Sequence, residues 1–200
     1  MQLTFKKEFN GDMSQLPTRE VEGAVLFKEP ETIEKLSLIA NTIGLVLMVI
    51  ALVGVYVRIG GLASLRKGLF GYSLQFMIGA VLFLIVIPLH ELLHAVCFRG
   101  KVEFYTYLKK DLCFVIGTES MSKARFVFMS LLPNLAFAFL PYLLFMFFPS
   151  ALWLGVFGAT GIGSGAGDYL NVFHAVTQMP KGALCFMTGI RTYWYLPTKE

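Results

Sequence analysis

Three long runs of the sequence contain no charged residue, and they constrain the fold more than any other feature. The first covers 36–57 with 22 residues, and the second covers 68–90 with 23. The third covers 126–167 and has 42. A helix needs roughly 20 predominantly apolar residues to cross the core of a bilayer. The first two runs are therefore long enough for one crossing each, and the third for two.

The composition agrees with a membrane protein. Hydrophobic residues make up 56% of the 200 and charged residues only 15%, whereas soluble domains carry roughly 25% charged residues. The net charge is +4, but the basic residues stand in short groups between apolar runs and form no stripe interleaved with aromatic residues. This distribution is typical of membrane topology and argues against a nucleic-acid partner. The predicted partner is the lipid bilayer.

Four spans are predicted. The third run should fold as a helical hairpin broken near Pro149 and Ser150, which together favour a turn. The spans then cover 36–57, 70–98, 126–148 and 151–174. Residues 1–35 are expected to form an N-terminal cytoplasmic segment, and 36–200 a single membrane-embedded domain. Five glycines at 158, 161, 163, 165 and 167 weaken the helical tendency of span four.

The distribution of Lys and Arg predicts the orientation. Fourteen of them lie before span one, in 99–125 and after span four, while three lie in 58–67 and none lies at the turn of the hairpin. Cytoplasmic loops carry the excess of basic residues. Both termini and the loop 99–125 are therefore expected in the cytoplasm.

The loop 99–125 should form strands. Aromatic and β-branched residues alternate on both sides of "KKD", which predicts two short strands with a turn near Lys110 and Asp111. The expected fold class is an all-α membrane protein with about four transmembrane helices and a short cytoplasmic β-hairpin between spans two and three.

The sequence "HELLH" near the end of span two contains candidate metal ligands and a candidate catalytic base. His90 and His94 are four residues apart, so a helix places both imidazoles on one face, where they can hold one zinc ion. Glu91 lies about 100° round the helix, where it can take a proton from a water activated by the metal and pass it to a leaving amine. Alternatively, the histidines hydrogen-bond between helices and Glu91 reaches the headgroups.

A catalytic zinc ion needs a third protein ligand. The candidates are Asp168, His174, Glu119 and Glu103. Asp168 is favoured because it is the one charge in span four, and a carboxylate inside a membrane is costly. His90 should lie about 13 Å and Asp168 about 20 Å from the cytoplasmic ends of their spans. The glycines before Asp168 would let spans two and four approach each other closely.

Two further polar residues lie near Asp168. Asn171 falls about one helical turn beyond it, where its amide can orient the carboxylate or bind substrate. A bond to a neighbouring helix is the other interpretation of Asn171. His174 points to another face of the helix unless the helix bends.

These residues resemble the site-2 protease family of intramembrane zinc metalloproteases. The shared features are HExxH near the cytoplasmic end of a span, a following β-hairpin, a span that opens with "LLPNLAF", and an aspartate in a later span. More closely, "HELLHAVCF" with "GAGDYLNVFHAVTQMPKGA" is similar to a bacterial family of small four-span proteins described as zincin peptidases. The likeness covers about residues 70–185.

The resemblance implies His90 and His94 as zinc ligands, Glu91 as the catalytic base and Asp168 as the third ligand. Asn134, within "LLPNLAF", joins Asn171 and His174 as a candidate to support a ligand or bind substrate. The chain departs from the site-2 protease pattern in two places. Asp168 is followed by Tyr169 where that pattern has glycine, and "LP" replaces "GP" before span three.

The predicted function is a membrane-embedded zinc metallopeptidase of the HExxH type. Its substrate is expected to be a membrane-associated polypeptide, cleaved near the cytoplasmic face of a bacterial plasma membrane. The alternatives are a zinc-binding membrane regulator without hydrolytic activity and a structural membrane protein without metal. The regulator would keep its function when Glu91 is replaced, and the structural protein would hold no zinc.

Overall fold

The computed structural model describes residues 1–30, 32–110 and 112–197, most of which are helical. The helices are α1 (Ile33–Arg58), α2 (Gly61–Lys67), α3 (Leu69–Val96), α4 (Lys123–Asn134), α5 (Leu140–Phe147), α6 (Leu152–Ser164) and α7 (Ala166–Gln178). A π-helical segment, Leu135–Phe139, connects α4 to α5. The strands are β1 (Gln2–Phe5), β2 (Val25–Leu26), β3 (Lys101–Tyr107), β4 (Leu112–Ile116), β5 (Met121–Ser122), β6 (Leu184–Thr188) and β7 (Arg191–Tyr195).

Three helical stretches are long and apolar enough to cross a membrane, and they indicate a membrane protein. They cover Glu34–Arg58, Phe70–Val96 and Lys123–Phe147. Most of the apolar side chains of α1 and α3 are exposed, as expected for helices whose surface faces lipid. The helices predicted for the first three spans are confirmed, with ends that differ from the prediction by at most three residues.

The stretch predicted as span four is not one helix. α6 and α7 have 13 residues each and are separated at Gly165. At 1.5 Å per residue each is about 20 Å long, which is shorter than a bilayer core. The break falls in "GIGSGAG", where glycine stands at every second position, and glycine has a low helix propensity.

The class "all-α" is too narrow, because the described residues also form two sheets. The first has the order β1-β3-β4 and the second the order β2-β7-β6-β5. Gln2–Phe5 pairs with residues about 100 positions later. Most strands were missed because they are short and pair with distant segments, so local alternation gives little sign of them.

β3 and β4 lie in the loop where two strands were expected, and they pair antiparallel. β3 also pairs with β1 in parallel, so the hairpin is part of a three-stranded sheet. A short 3-10 helix, Leu108–Lys110, follows β3. Asp111, the other predicted turn residue, lies outside the described residues.

The chain divides into two compact units. The first comprises Met1–Glu29, Pro88–Leu132 and Asn171–Glu200. It contains all seven strands, and its main core packs sheet residues against the helices. The core residues include Phe27, Ala95, Phe98, Val102, Phe126, Met129, Ala175, Met179 and Cys185.

The second unit comprises Pro30–Ile87 and Pro133–Leu170. Its core combines Ala51 and Val55 of α1 with Phe145, Val156 and Ala159. Glycines of α6 make close contacts within it: a Cβ on Gly163 would meet the Gly44 carbonyl at 2.7 Å, and one on Gly158 would meet the Ala138 carbonyl at 2.8 Å. These glycines therefore pack α6 against α1 and the π-helical segment, although span two was the expected neighbour.

Candidate metal centre

The HExxH residues occupy the last two turns of α3. The helix runs through Pro88 and ends at Val96, so the four-residue spacing stacks the two imidazoles along one face. Their ring centroids are 4.9 Å apart. One ligand atom each of His90, Glu91 and His94 lies within 4.8 Å of the others. The three residues therefore form a group that could hold a metal ion.

A hydrogen bond orients the second histidine for metal binding. His94 is buried, and its Nδ1 lies 2.9 Å from the Met129 carbonyl oxygen of α4. A carbonyl can only accept, so Nδ1 donates and Nε2 of the neutral ring keeps its lone pair. Histidines that bind zinc commonly use their second nitrogen in this way. The residues present therefore fit a zinc ion.

The carboxylate of Glu91 lies near strand β4. Burial raises the pKa of the Cys113 thiol to about 11, and the negative charge of Glu91 adds to this effect. Cys113 belongs to β4, which is an edge strand of the first sheet. The charge of Glu91 therefore acts on an edge strand of the first sheet, within the first unit.

An ion pair anchors the end of the HExxH helix. Arg125 donates two hydrogen bonds to the Cys97 carbonyl, at 3.1 and 2.6 Å, and so caps α3, whose last carbonyls have no helical partner. The Arg125 guanidinium also pairs with Glu119 at 2.6 Å. Glu119 accepts the backbone N–H groups of Arg99 and Gly100 at 2.6 and 2.8 Å.

These contacts lower the pKa of Glu119. Burial alone would raise it, but the backbone N–H of Gly100, the Arg125 guanidinium and the N–H of Arg99 lower it below its ordinary value. Glu103, the other glutamate considered as a third ligand, pairs with Lys6 at 2.9 Å. Both glutamates therefore have structural partners in the described part of the chain. The anchoring role of Arg125 was missed, and nothing in the local sequence indicates it.

Asp168 has a specific partner in the second unit. It lies in the first turn of α7, where the helix dipole favours a negative charge. The side-chain amide of Asn134 donates to Asp168 Oδ2 at 2.7 Å, and Asn134 is only 1% exposed. Asn134 therefore holds the carboxylate in one orientation.

The last two predicted residues lie on α7 in the first unit. His174 is buried, with its Nδ1 2.8 Å from Gln178 Nε2 and its ring 6.2 Å from that of Phe27. Its Nε2 is buried without a hydrogen-bond partner among the described residues. Asn171 is half-buried. Their roles stay predictions.

The structure thus forms two groups of predicted residues. His90, Glu91 and His94 lie together in the first unit, and Asn134 contacts Asp168 in the second. That all of them serve one metal ion remains a prediction.

A helix-borne HExxH motif with an oriented second histidine is the metal-binding pattern of the zincin class of peptidases. A protein-family model with the description "Putative zincin peptidase" matches residues 83–184, just over half of the chain. The chain belongs to this family, as its resemblance predicted. Comparisons with curated proteins and with solved structures found no match.

Proposed function

We propose that the protein is a membrane-embedded zinc metallopeptidase that hydrolyses a peptide bond near the cytoplasmic face of the membrane. The observation that carries this proposal is the HExxH group on α3, with His94 Nδ1 bonded to the Met129 carbonyl. Membership in the zincin peptidase family supports it. The site-2 protease likeness of the motifs agrees with a substrate that is itself associated with the membrane.

Each residue has a role in the proposed reaction. His90 and His94 hold the metal, and Asp168, oriented by Asn134, completes the ligand set. Bound zinc would polarise the substrate carbonyl and lower the pKa of a water molecule. Glu91 takes the proton of the attacking water and passes it to the nitrogen of the leaving amine.

Strand pairing supports four membrane crossings. The segments before α1, between α3 and α4, and after α7 contribute strands to the same two sheets. An open sheet does not cross lipid, so the paired segments lie on one side of the membrane and an even number of crossings separates them. α1 and α3 supply two. The α4–α5 stretch supplies a third, and α6 with α7 would return the chain as the fourth.

The charge asymmetry supports a cytoplasmic position for that side. The segments that carry the sheets hold 14 of the 17 basic residues, as expected for cytoplasmic loops. Both termini and the first sheet would then face the cytoplasm of a bacterial cell. Residues 36–200 would act as one membrane-embedded domain, with the N-terminal segment completing its sheets.

We propose strand addition at β4 as the way in which the substrate is held. β3 is paired on both sides, by β1 and β4, so β4 offers the edge of this sheet that lies near Glu91. An extended polypeptide can add to such an edge through main-chain hydrogen bonds. Asn171 and His174 are candidates for further contacts with the substrate.

Zinc analysis and cleavage mapping test the proposal. Elemental analysis of the purified protein should find one zinc per chain, with large losses in His94→Ala and Asp168→Ala. Glu91→Gln should retain zinc. Membranes from cells that express the wild type should contain new peptide N-termini that are absent with Glu91→Gln.

The outcomes separate the possible functions. Cleavage by Glu91→Gln at the wild-type rate would contradict the catalytic assignment. Stoichiometric zinc without any cleavage that depends on Glu91 would favour the non-hydrolytic regulator. A wild-type protein without zinc would contradict the metal site itself.

A further inference from the structure

The second unit contains a cavity of about 420 Å³ that the peptidase function does not use. It lies between the C-terminal part of α1, the N-terminal part of α3 and the first turns of α6. Its described lining is mainly apolar and aromatic, without a charged side chain. Lining residues include Leu52, Val55, Tyr72, Phe76, Met77 and Val156.

Close packing at one point explains why the cavity opens beside it. A Cβ on Gly79 of α3 would meet the Trp153 carbonyl of α6 at 2.6 Å, so the two helices touch there. Four α3 residues line the cavity, and all of them precede this contact: Tyr72, Ser73, Phe76 and Met77. Because α1 and α3 are among the helices long and apolar enough to span a membrane, an apolar cavity between them is suited to hydrocarbon.

The chain beside the cavity is basic. Residues 58–67, which connect the two long helices, contain Arg58, Arg66 and Lys67, and no acidic residue occurs between Glu34 and Glu91. Arg58 adjoins the lining residue Ile59 in sequence, and its Nε donates to the Met146 carbonyl at 2.9 Å. This bond holds the exposed guanidinium at the end of α1. Basic groups next to a membrane attract anionic headgroups.

We propose that the cavity binds one acyl chain of an anionic phospholipid, with the headgroup phosphate beside Arg58. The apolar walls would favour the hydrocarbon chain, and the Arg58 guanidinium would favour the negative headgroup. The proposal rests on the membrane placement proposed above and is independent of zinc and of peptide hydrolysis. The site would lie on the predicted outer side of the membrane, because α1 leads there from the N-terminal segment that is expected in the cytoplasm.

Fluorescence quenching by brominated lipids tests the site. Trp153 directly follows the lining residue Leu152, and Trp194→Phe would make it the sole tryptophan. The protein is reconstituted in phosphatidylcholine vesicles that contain equal fractions of either brominated phosphatidylglycerol or brominated phosphatidylcholine. Quenching by the anionic lipid should be at least twofold stronger at low fractions of brominated lipid.

Variants distinguish the cavity from the bulk lipid. Ser73→Phe places a ring in the cavity and should abolish the excess quenching, whereas Leu74→Phe, one residue on and outside the lining, should retain it. Arg58→Gln should remove the preference for the anionic lipid without closing the cavity. Equal quenching by the two lipids, or an excess that survives both Ser73→Phe and Arg58→Gln, would overturn the site while leaving membrane insertion and zinc binding intact. Absence of quenching by either lipid would overturn the membrane placement as well.

Discussion

His94 illustrates how one ring can serve two partners. Its Nδ1 donates a hydrogen bond to the Met129 carbonyl, which leaves Nε2 as the nitrogen that can bind a metal. The spacing of the histidines could be predicted, because two residues four apart on a helix share a face whatever surrounds them. The Met129 contact could not, since it joins residues 35 positions apart and depends on how α3 and α4 pack.

Asp168 depends on equally specific packing. Asn134, which donates to its carboxylate, also lies against Gly165. A Cβ on Gly165 would lie much closer to Asn134 Oδ1 than a van der Waals contact allows. The absent side chain at position 165 is what leaves room for the amide.

Gly165→Ala should therefore disturb the Asp168 carboxylate. The new methyl group forces the buried Asn134 amide to move, which should cost about 1–3 kcal/mol of stability. If Asp168 is a zinc ligand, loss of its oriented partner should also weaken zinc binding by about 10–100-fold. Competition with a chelator measures the zinc affinity, and thermal unfolding in detergent measures the stability.

Gly167→Ala is the matched control. A Cβ at Gly167 meets nothing within 4 Å, and alanine raises the helical tendency of α7 by up to about 1 kcal/mol. This variant should bind zinc like the wild type. A Gly165→Ala protein that is less stable but has unchanged zinc affinity would contradict the role of Asn134 in orienting Asp168 for zinc.

At the scale of elements, the long helices and the β3–β4 pair were predictable, and the other strands were not. An uncharged run of about 20 residues defines a membrane helix by its own composition, and three such helices lie where expected. β1, β2 and β5 have two to four residues each and exist because distant segments pair with them. The glycines before Asp168 were predicted to weaken the helix of span four. The break at Gly165, which divides that stretch into two helices, was not predicted.

The contacts of Glu119 at the end of α3 make the stability of the fold depend on pH. Arg125 caps the helix and Glu119 holds the following turn. Because the folded-state pKa of Glu119 lies below its ordinary value, its charged form stabilises the fold above the unfolded-state pKa. That contribution declines as the pH falls from the unfolded-state pKa, about 4.3, through the lowered folded-state pKa.

Glu119→Gln should lower the free energy of unfolding at neutral pH by about 2 kcal/mol, because the hydrogen bonds to a charged group weaken. The difference from the wild type should shrink as the pH falls below about 4. Thermal unfolding in detergent at several pH values measures both effects. Glu22→Gln, an exposed glutamate, should leave the unfolding temperature unchanged. A constant difference between Glu119→Gln and the wild type across this range would show that the charge of Glu119 is not the cause.

At the scale of the whole molecule, charge distribution and strand pairing independently support the proposed topology. The excess of basic residues predicts which segments are cytoplasmic, and the sheets join those same segments. The first criterion is visible in the sequence. The second depends on pairing between residues up to about 170 positions apart, as between β2 and β7, which composition does not reveal.

The topology can be measured with single cysteines in a variant whose Cys97, Cys113 and Cys185 are replaced by alanine. In intact cells, a membrane-impermeant maleimide should label cysteines at positions 62 and 150, which lie on the predicted outer side. Cysteines at positions 22 and 181 should react only after permeabilisation, because both precede strands of the second sheet, which the proposed topology puts on the cytoplasmic side. Zinc content of each variant checks that its metal site is intact. Labelling of position 181 in intact cells would mean that α6 and α7 do not return the chain, and pairing of β6 with β5 would then be impossible in the membrane.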